Sequence, residues 1–224
     1  MAVIEGTSGT LVDVGAASAK GLHITAKPQD AGTLGHYAVA VQTGAIGAGM
    51  AANGELLQLR WTDGTRVCVI TEITCNGVIA STAFAAGAIA MQASICRSWT
   101  VDGSGGTTLT TSGDNQNMRS AFGASLMGSA RVASTGALTT GTKTIDAHAI
   151  GLITTHSSGG VGSATPIIGS IFLPTTTLYK CDIASGEYPI TLAQNEGVVI
   201  RATVPATGVW TAGFTVKWME LAAF

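Results

Sequence analysis

Two runs near the end of the chain alternate apolar and polar positions with a period of two. In the first, Val198, Ile200, Ala202 and Val204 alternate with Arg201 and Thr203. In the second, Phe214, Val216 and Trp218 alternate with Thr215 and Lys217. Successive side chains of a strand point to opposite faces, so each run predicts a strand that commits one face to a core. Pro205-Ala206-Thr207-Gly208 supplies a turn between them, and Pro189 to Ala193 forms a short feeder before them.

The same pattern recurs upstream. Gly35 to Thr43 predicts a strand with Tyr37, Val39 and Val41 on one face, and Glu55 to Trp61 another with Leu57, Leu59 and Trp61 together. Asp63-Gly64 and Asn76-Gly77 are dipeptides that accept the positive φ of tight hairpin turns. They predict a three-stranded antiparallel meander through Glu55 to Trp61, Arg66 to Cys75 and Val78 onward. Cys68 and Cys75 fall in one strand of this meander at an odd separation, which sends them to opposite faces. Ile89, Met91, Ala93 and Ile95 alternate in a long strand ending near Trp99. Ala45 to Gly54 is Ala-rich, but its glycines each cost about 1 kcal/mol in a helix interior, so it predicts a loop with one helical turn at most. Ser112 to Gly128 spaces Met118, Ala121, Phe122 and Leu126 as a short helix would, and predicts a short helix or an ordered surface loop. Short strands follow over Ala130 to Ala133, Lys143 to Ala147, Ala149 to Thr155, Pro166 to Leu173 and Leu178 to Ile183.

Many short strands and no long amphipathic helix predict an all-β fold, an antiparallel sandwich or barrel of jelly-roll-like order with at most a short helix. Residues 1–34 read as an N-terminal arm or edge segment, and 35–224 as one β-sandwich domain. Composition agrees: the chain holds 30 glycines and only 11% charged residues among its 224, against an average near ~25% charged. Mean hydropathy is +0.39, yet no run of ~18 apolar residues spans a membrane. The start, Met1 to Gly6, carries no basic segment followed by an apolar block, so the expected site of synthesis is a cytoplasm. A net charge of −2 and scattered Lys and Arg leave no footprint for nucleic acid. A surface so poor in charge points to cover by further copies or other subunits, hence to an oligomer.

Candidate chemistry is sparse. Cys68, Cys75, Cys96 and Cys181 make no metal-binding pair and read as buried thiols. His23, His36, His148 and His156 have no carboxylate at ligand spacing, and no cofactor or metal is expected. No nucleophile elbow is present. Asp102 with Asp114, or Glu187 with Glu196, are the carboxylates that would have to meet across a cleft for glycosidase chemistry, and their spacing does not demand it. Trp99 and Trp210 sit at predicted strand ends beside glycine-rich turns, which makes them the interface candidates. The expectation is a protein that is not an enzyme.

Gly35-His36-Tyr37, the run Glu55 to Asp63, Asn195 to Arg201 and the ending Phe214 to Glu220 together resemble a group of β-rich proteins encoded by tailed bacteriophages. The resemblance covers most of the chain from Gly35 onward. It implies a virion structural protein, a capsid decoration or cement protein that oligomerises, as a trimer, and binds the major capsid protein on the capsid exterior. The alternative is a tail- or head-fibre module recognising host glycans through Trp99 or Trp210.

Overall fold

A computed structural model describes residues 34–111, 117–118, 122–157, 171–173, 175–182 and 185–222. The expected N-terminal arm, the start of the expected helix or loop from Ser112 and most of the Pro166 to Leu173 strand lie outside them. The described residues build two antiparallel sheets packed face to face, a β-sandwich and not a closed barrel.

One sheet has six strands. Its backbone is β1 (His36–Gln42), β13 (Val209–Leu221) and β3 (Val67–Thr82), in that spatial order. The far edge of β3 is shared by three short strands, β9 (Ile171–Leu173), β10 (Thr176–Lys180) and β11 (Ile190–Leu192). The other sheet runs β5 (Thr107–Thr108), β6 (Met127–Val132), β2 (Gly54–Trp61), β12 (Glu196–Thr203), β4 (Gly87–Val101) and β7 (Thr142–Ile145), with β8 (Gly151–Ser157) also on β4. Strands from the start of the fold pair with strands from its end, and β1 to β4 alternate between the sheets. This is the wrapped, jelly-roll-like order that the pattern predicted.

The faces predicted for the core are the faces buried. Leu57, Leu59 and Trp61 of β2, Ile89, Met91 and Ala93 of β4, and Val198, Ile200 and Ala202 of β12 meet Phe214, Val216 and Trp218 of β13 in one cluster. Tyr37 and Val39 of β1 join them, and the Tyr37 and Trp218 rings stack with centroids 5.7 Å apart. Burial of each large apolar side chain stabilises the fold by about 1.5 to 3 kcal/mol relative to exposure.

Two expectations need correction. The meander does not form, because β2 and β3 lie in different sheets. Asp63 does turn the chain, but its Oδ1 accepts from the Thr65 N–H, the Thr65 hydroxyl and the Arg66 N–H, and the turn crosses to the other sheet. Nor does Asn76-Gly77 turn: β3 continues through it for 16 residues. Asn76 is an extra residue in the ladder, between Cys75 opposite Phe214 and Gly77 opposite Gly213. Thr71 is another, between Ile70 opposite Trp218 and Glu72 opposite Lys217. A β-bulge reverses the parity of every later side chain. Cys68 and Cys75 therefore both face the core, against the expectation of opposite faces. The stretch from Ala45 to Asn53 is a loop as expected, and of the two readings for Ser112 to Gly128 the described residues, Asn117, Met118 and 122–126, follow the loop.

Candidate functional site

Side chains able to carry chemistry gather at three places, all set by the sandwich. The first is the end of the core where β13 begins. Trp210 is 1% exposed. Its backbone exchanges hydrogen bonds with Ile46, and its ring packs on Phe84 at 6.1 Å. Gly208, at φ 108°, lets the crossover from β12 pass Phe84, whose Cδ1 would lie 2.7 Å from an added Cβ. Trp210 is a core residue of this end, and its ring offers no face to a partner.

The second place is the outer face of the seven-stranded sheet. Positive φ at Ser98 bends the end of β4, and Trp99 folds back over β12, its backbone N–H bonded to the Asn195 carbonyl. A Cβ on Gly197 would come within 2.7 Å of the Trp99 ring, so only glycine leaves room for the indole there. Trp99 is 1% exposed and packs with Cys96, Val199 and Ile145. The Lys143 ammonium lies 4.4 Å from the Trp99 ring centroid, donates to the Thr140 carbonyl, and pairs with Glu55 at 2.8 Å. Gln58 Nε2 donates to the same Glu55 oxygen at 2.6 Å and to the Thr139 carbonyl at 2.8 Å. Both charged side chains are almost wholly withdrawn from water, 0% and 3% exposed. A buried pair of this kind persists because each charge holds the other and the remaining donors are satisfied. Here it fastens the Thr139 to Lys143 segment onto β2. Around it Arg60 pairs with Asp102, and Arg97 with Asp146 and Glu196, lacing further loops to the same face.

The third place is the opposite end of β13. Glu220 continues the inward parity of Phe214, Val216 and Trp218, so its carboxyl enters the core and is 0% exposed. Oε1 accepts from the Ser125 hydroxyl at 2.7 Å, the Leu126 N–H at 2.9 Å and the Trp218 indole at 3.4 Å. Oε2 is buried with no hydrogen-bond partner. Burial, above all, holds this acid above the usual carboxylate range. Cys68 lies opposite Glu220 in the ladder, and burial pushes its thiol well up, with the Glu220 charge adding to the effect.

The remaining candidates do not converge. Asp102 and Glu196 are engaged in their ion pairs, Glu187 caps the Asp182 N–H, and Asp114 and His23 lie outside the described residues. His148 and His156 are exposed on separate segments, and burial beside Lys217 lowers the pKa of His36. All four cysteines are buried free thiols, Cys96 raised to about 12 by burial, which disfavours the nucleophilic thiolate. Among the described residues no three His, Cys, Asp or Glu side chains gather as a metal site, and no helix is long and apolar enough to cross a membrane.

Sequence reading missed Glu55, Lys143 and Glu220. For Glu220 the signal was present, since the alternation from Phe214 already assigns it inward. For Lys143 no local signal exists, because its partner is 88 residues away in sequence across a loop. The outward-facing apolar side chains are others again: Tyr188 is 90% exposed, Leu152 61%, Val101 55% and Met118 55%. No family model, curated protein or solved structure matches the chain.

Proposed function

We propose that this chain is a structural subunit of a virion, an oligomeric decoration protein that binds the capsid exterior. The observation that carries the assembly part is the exposure of Tyr188 and Leu152 on a chain with only 11% charged residues. Apolar side chains left in water on a charge-poor surface favour burial against another subunit. Such a role is compatible with a two-sheet sandwich around one core, because a subunit that adds to a shell through many weak contacts gains from symmetry. The virion and its exterior rest on the resemblance of Gly35 to Glu220 to tailed-phage proteins. Recognition of host glycans through Trp99 or Trp210 loses its residues, since both indoles are enclosed within the fold.

The test is binding of the purified protein to undecorated capsids, followed by co-sedimentation and reconstruction of the decorated particle. Saturation at a copy number set by capsid symmetry is the expected result. Replacement of Tyr188 by Ser should then weaken binding without lowering the melting temperature. Absence of co-sedimentation at saturating protein, or a copy number of only a few per particle, would overturn the decoration role.

A further inference from the structure

Residues 122–127 cover the end of the sandwich at Glu220, tied to β13 and β1 and also to Thr111, to Asn117 and, at Met127, to Trp61 of β2. Ser125 Oγ and Leu126 N–H donate to Glu220 Oε1, Met127 N–H donates to Ser125 Oγ, and the Tyr37 hydroxyl donates to the Gly123 carbonyl at 2.9 Å. The distribution of donors on the carboxyl is lopsided: three reach Oε1 and none reaches Oε2. An ionised carboxylate shares its charge between both oxygens and, when buried, needs donors at both. A neutral acid has one accepting carbonyl oxygen and one hydroxyl. Glu220 is wholly buried and Oε2 has no donor, so desolvation of the charged form outweighs the three donors on Oε1 and favours the neutral acid.

We propose that Glu220 is a proton-operated latch: protonated, it clamps residues 122–127 over the end of the core, and loss of its proton releases that segment to solvent. The groups facing it come from each neighbouring element. From β3 comes Cys68, a buried thiol that stays protonated; from β1 comes Tyr37, its hydroxyl raised by burial and by Glu220 and engaged with Gly123. From the segment itself comes Ser125, and from the approach to β3 comes Arg66, whose positive charge acts on Glu220 in the opposite sense to burial. That cation is the weakest of the influences on the acid, and it does not bond to Oε2. Burial therefore decides the protonation state.

The direction of the pH dependence follows from linkage. In the released state Glu220 meets water and ionises as an ordinary carboxylate, whereas in the clamped state it keeps its proton to higher pH. Below the ordinary carboxylate range both states are protonated and pH has no effect. Through the window up to the raised value, release becomes about tenfold more favourable per pH unit, as one proton is lost on opening. Above that value the effect levels off.

Amide hydrogen exchange on the full chain reads this directly, with rates corrected for the intrinsic pH dependence of exchange. The Leu126 and Met127 amides should lose protection by about tenfold per pH unit through the window, while Val216 and Ile200 in the core keep theirs. In Glu220→Gln, which retains an accepting oxygen but no titrating group, that pH dependence should vanish. Ser125→Ala removes a donor that favours the ionised form, so its window should extend to higher pH. A flat profile in the native protein would overturn the latch, as would an unchanged profile in Glu220→Gln or a loss of protection shared equally by Val216 and Ile200. If Glu220→Gln does not fold, the Ser125→Ala profile decides alone, an unshifted window overturning the proposal.

Discussion

β13 and β3 are the two longest partners in the six-stranded sheet, and they solve the same problem differently. β13 keeps strict period two for 13 residues, with Trp210, Ala212, Phe214, Val216, Trp218 and Glu220 all inward. β3 needs 16 residues to cover the same partner and changes parity three times, at Thr71, Asn76 and Ser81. Its core residues accordingly come in pairs, Cys68 with Ile70, Ile73 with Cys75, and Val78 with Ala80. Each extra residue carries a short polar side chain that bonds back to β13: Thr71 to the Lys217 carbonyl, Asn76 to the Thr215 hydroxyl and Ser81 to the Val209 carbonyl. The bulges add twist to a long ladder, and their side chains supply hydrogen bonds at the very places where the ladder is interrupted. The bulged strand adds to the ladder and the apolar contacts the bonds made by its extra residues.

The largest expected effect tests the regular strand. Trp218→Ala removes a 0% exposed indole stacked on Tyr37 and should lower stability by about 3 to 5 kcal/mol in chemical denaturation. A loss below about 1 kcal/mol would place the ring at the surface and reverse the facing of β13. A smaller effect tests the bulged strand. Gly77 follows the Asn76 bulge at φ 131°, where a β-branched side chain is strained. Gly77→Val should cost about 1 to 3 kcal/mol, whereas Gly213→Val opposite it, on the regular strand, should cost less. Equal costs for the two would erase the distinction between the strands.

The same difference decides what the sequence discloses. Alternation on β13, β12, β2 and β4 revealed their faces because nothing interrupts parity across the residues that define them. On β3 the pattern Cys68, Ile70, Ile73, Cys75, Val78 looks like two strands about a turn, since Asn-Gly serves a bulge as readily as a hairpin. The meander was thus a reasonable expectation that long-range pairing with β13 overrides. Trp99 and Trp210 were read as strand-end residues, which they are, but their burial depends on loops that no local pattern links to them. Sheet partnership is non-local: β12 lies over 130 residues from β2, its neighbour. The buried Glu55–Lys143 pair is hidden for the same reason, while Glu220 was legible by parity alone.

The smallest effect concerns the outward face that the two strands share. Glu72 and Lys217 stand opposite each other immediately beyond the Thr71 bulge, with Lys217 Nζ 2.9 Å from Glu72 Oε2. The bond from Lys217 is the main reason that Glu72 titrates below the ordinary glutamate range, with Thr74 assisting. A depressed acid contributes stability that is fully present above its unfolded value and is lost as pH falls through its folded value. Lys217→Met should therefore cost about 0.2 to 1 kcal/mol near neutral pH, because the pair is partly solvated, and the difference from the native protein should close as Glu72 becomes protonated. Added salt should shrink the difference at neutral pH. The pair can meet only if Thr71 is extra to the ladder, since a regular register from Ile70 opposite Trp218 would place Thr71 against Lys217. A double-mutant cycle between Glu72→Gln and Lys217→Met with no coupling at neutral pH and low salt would argue against that register, and with it against the first of the three parity changes that set β3 apart from β13.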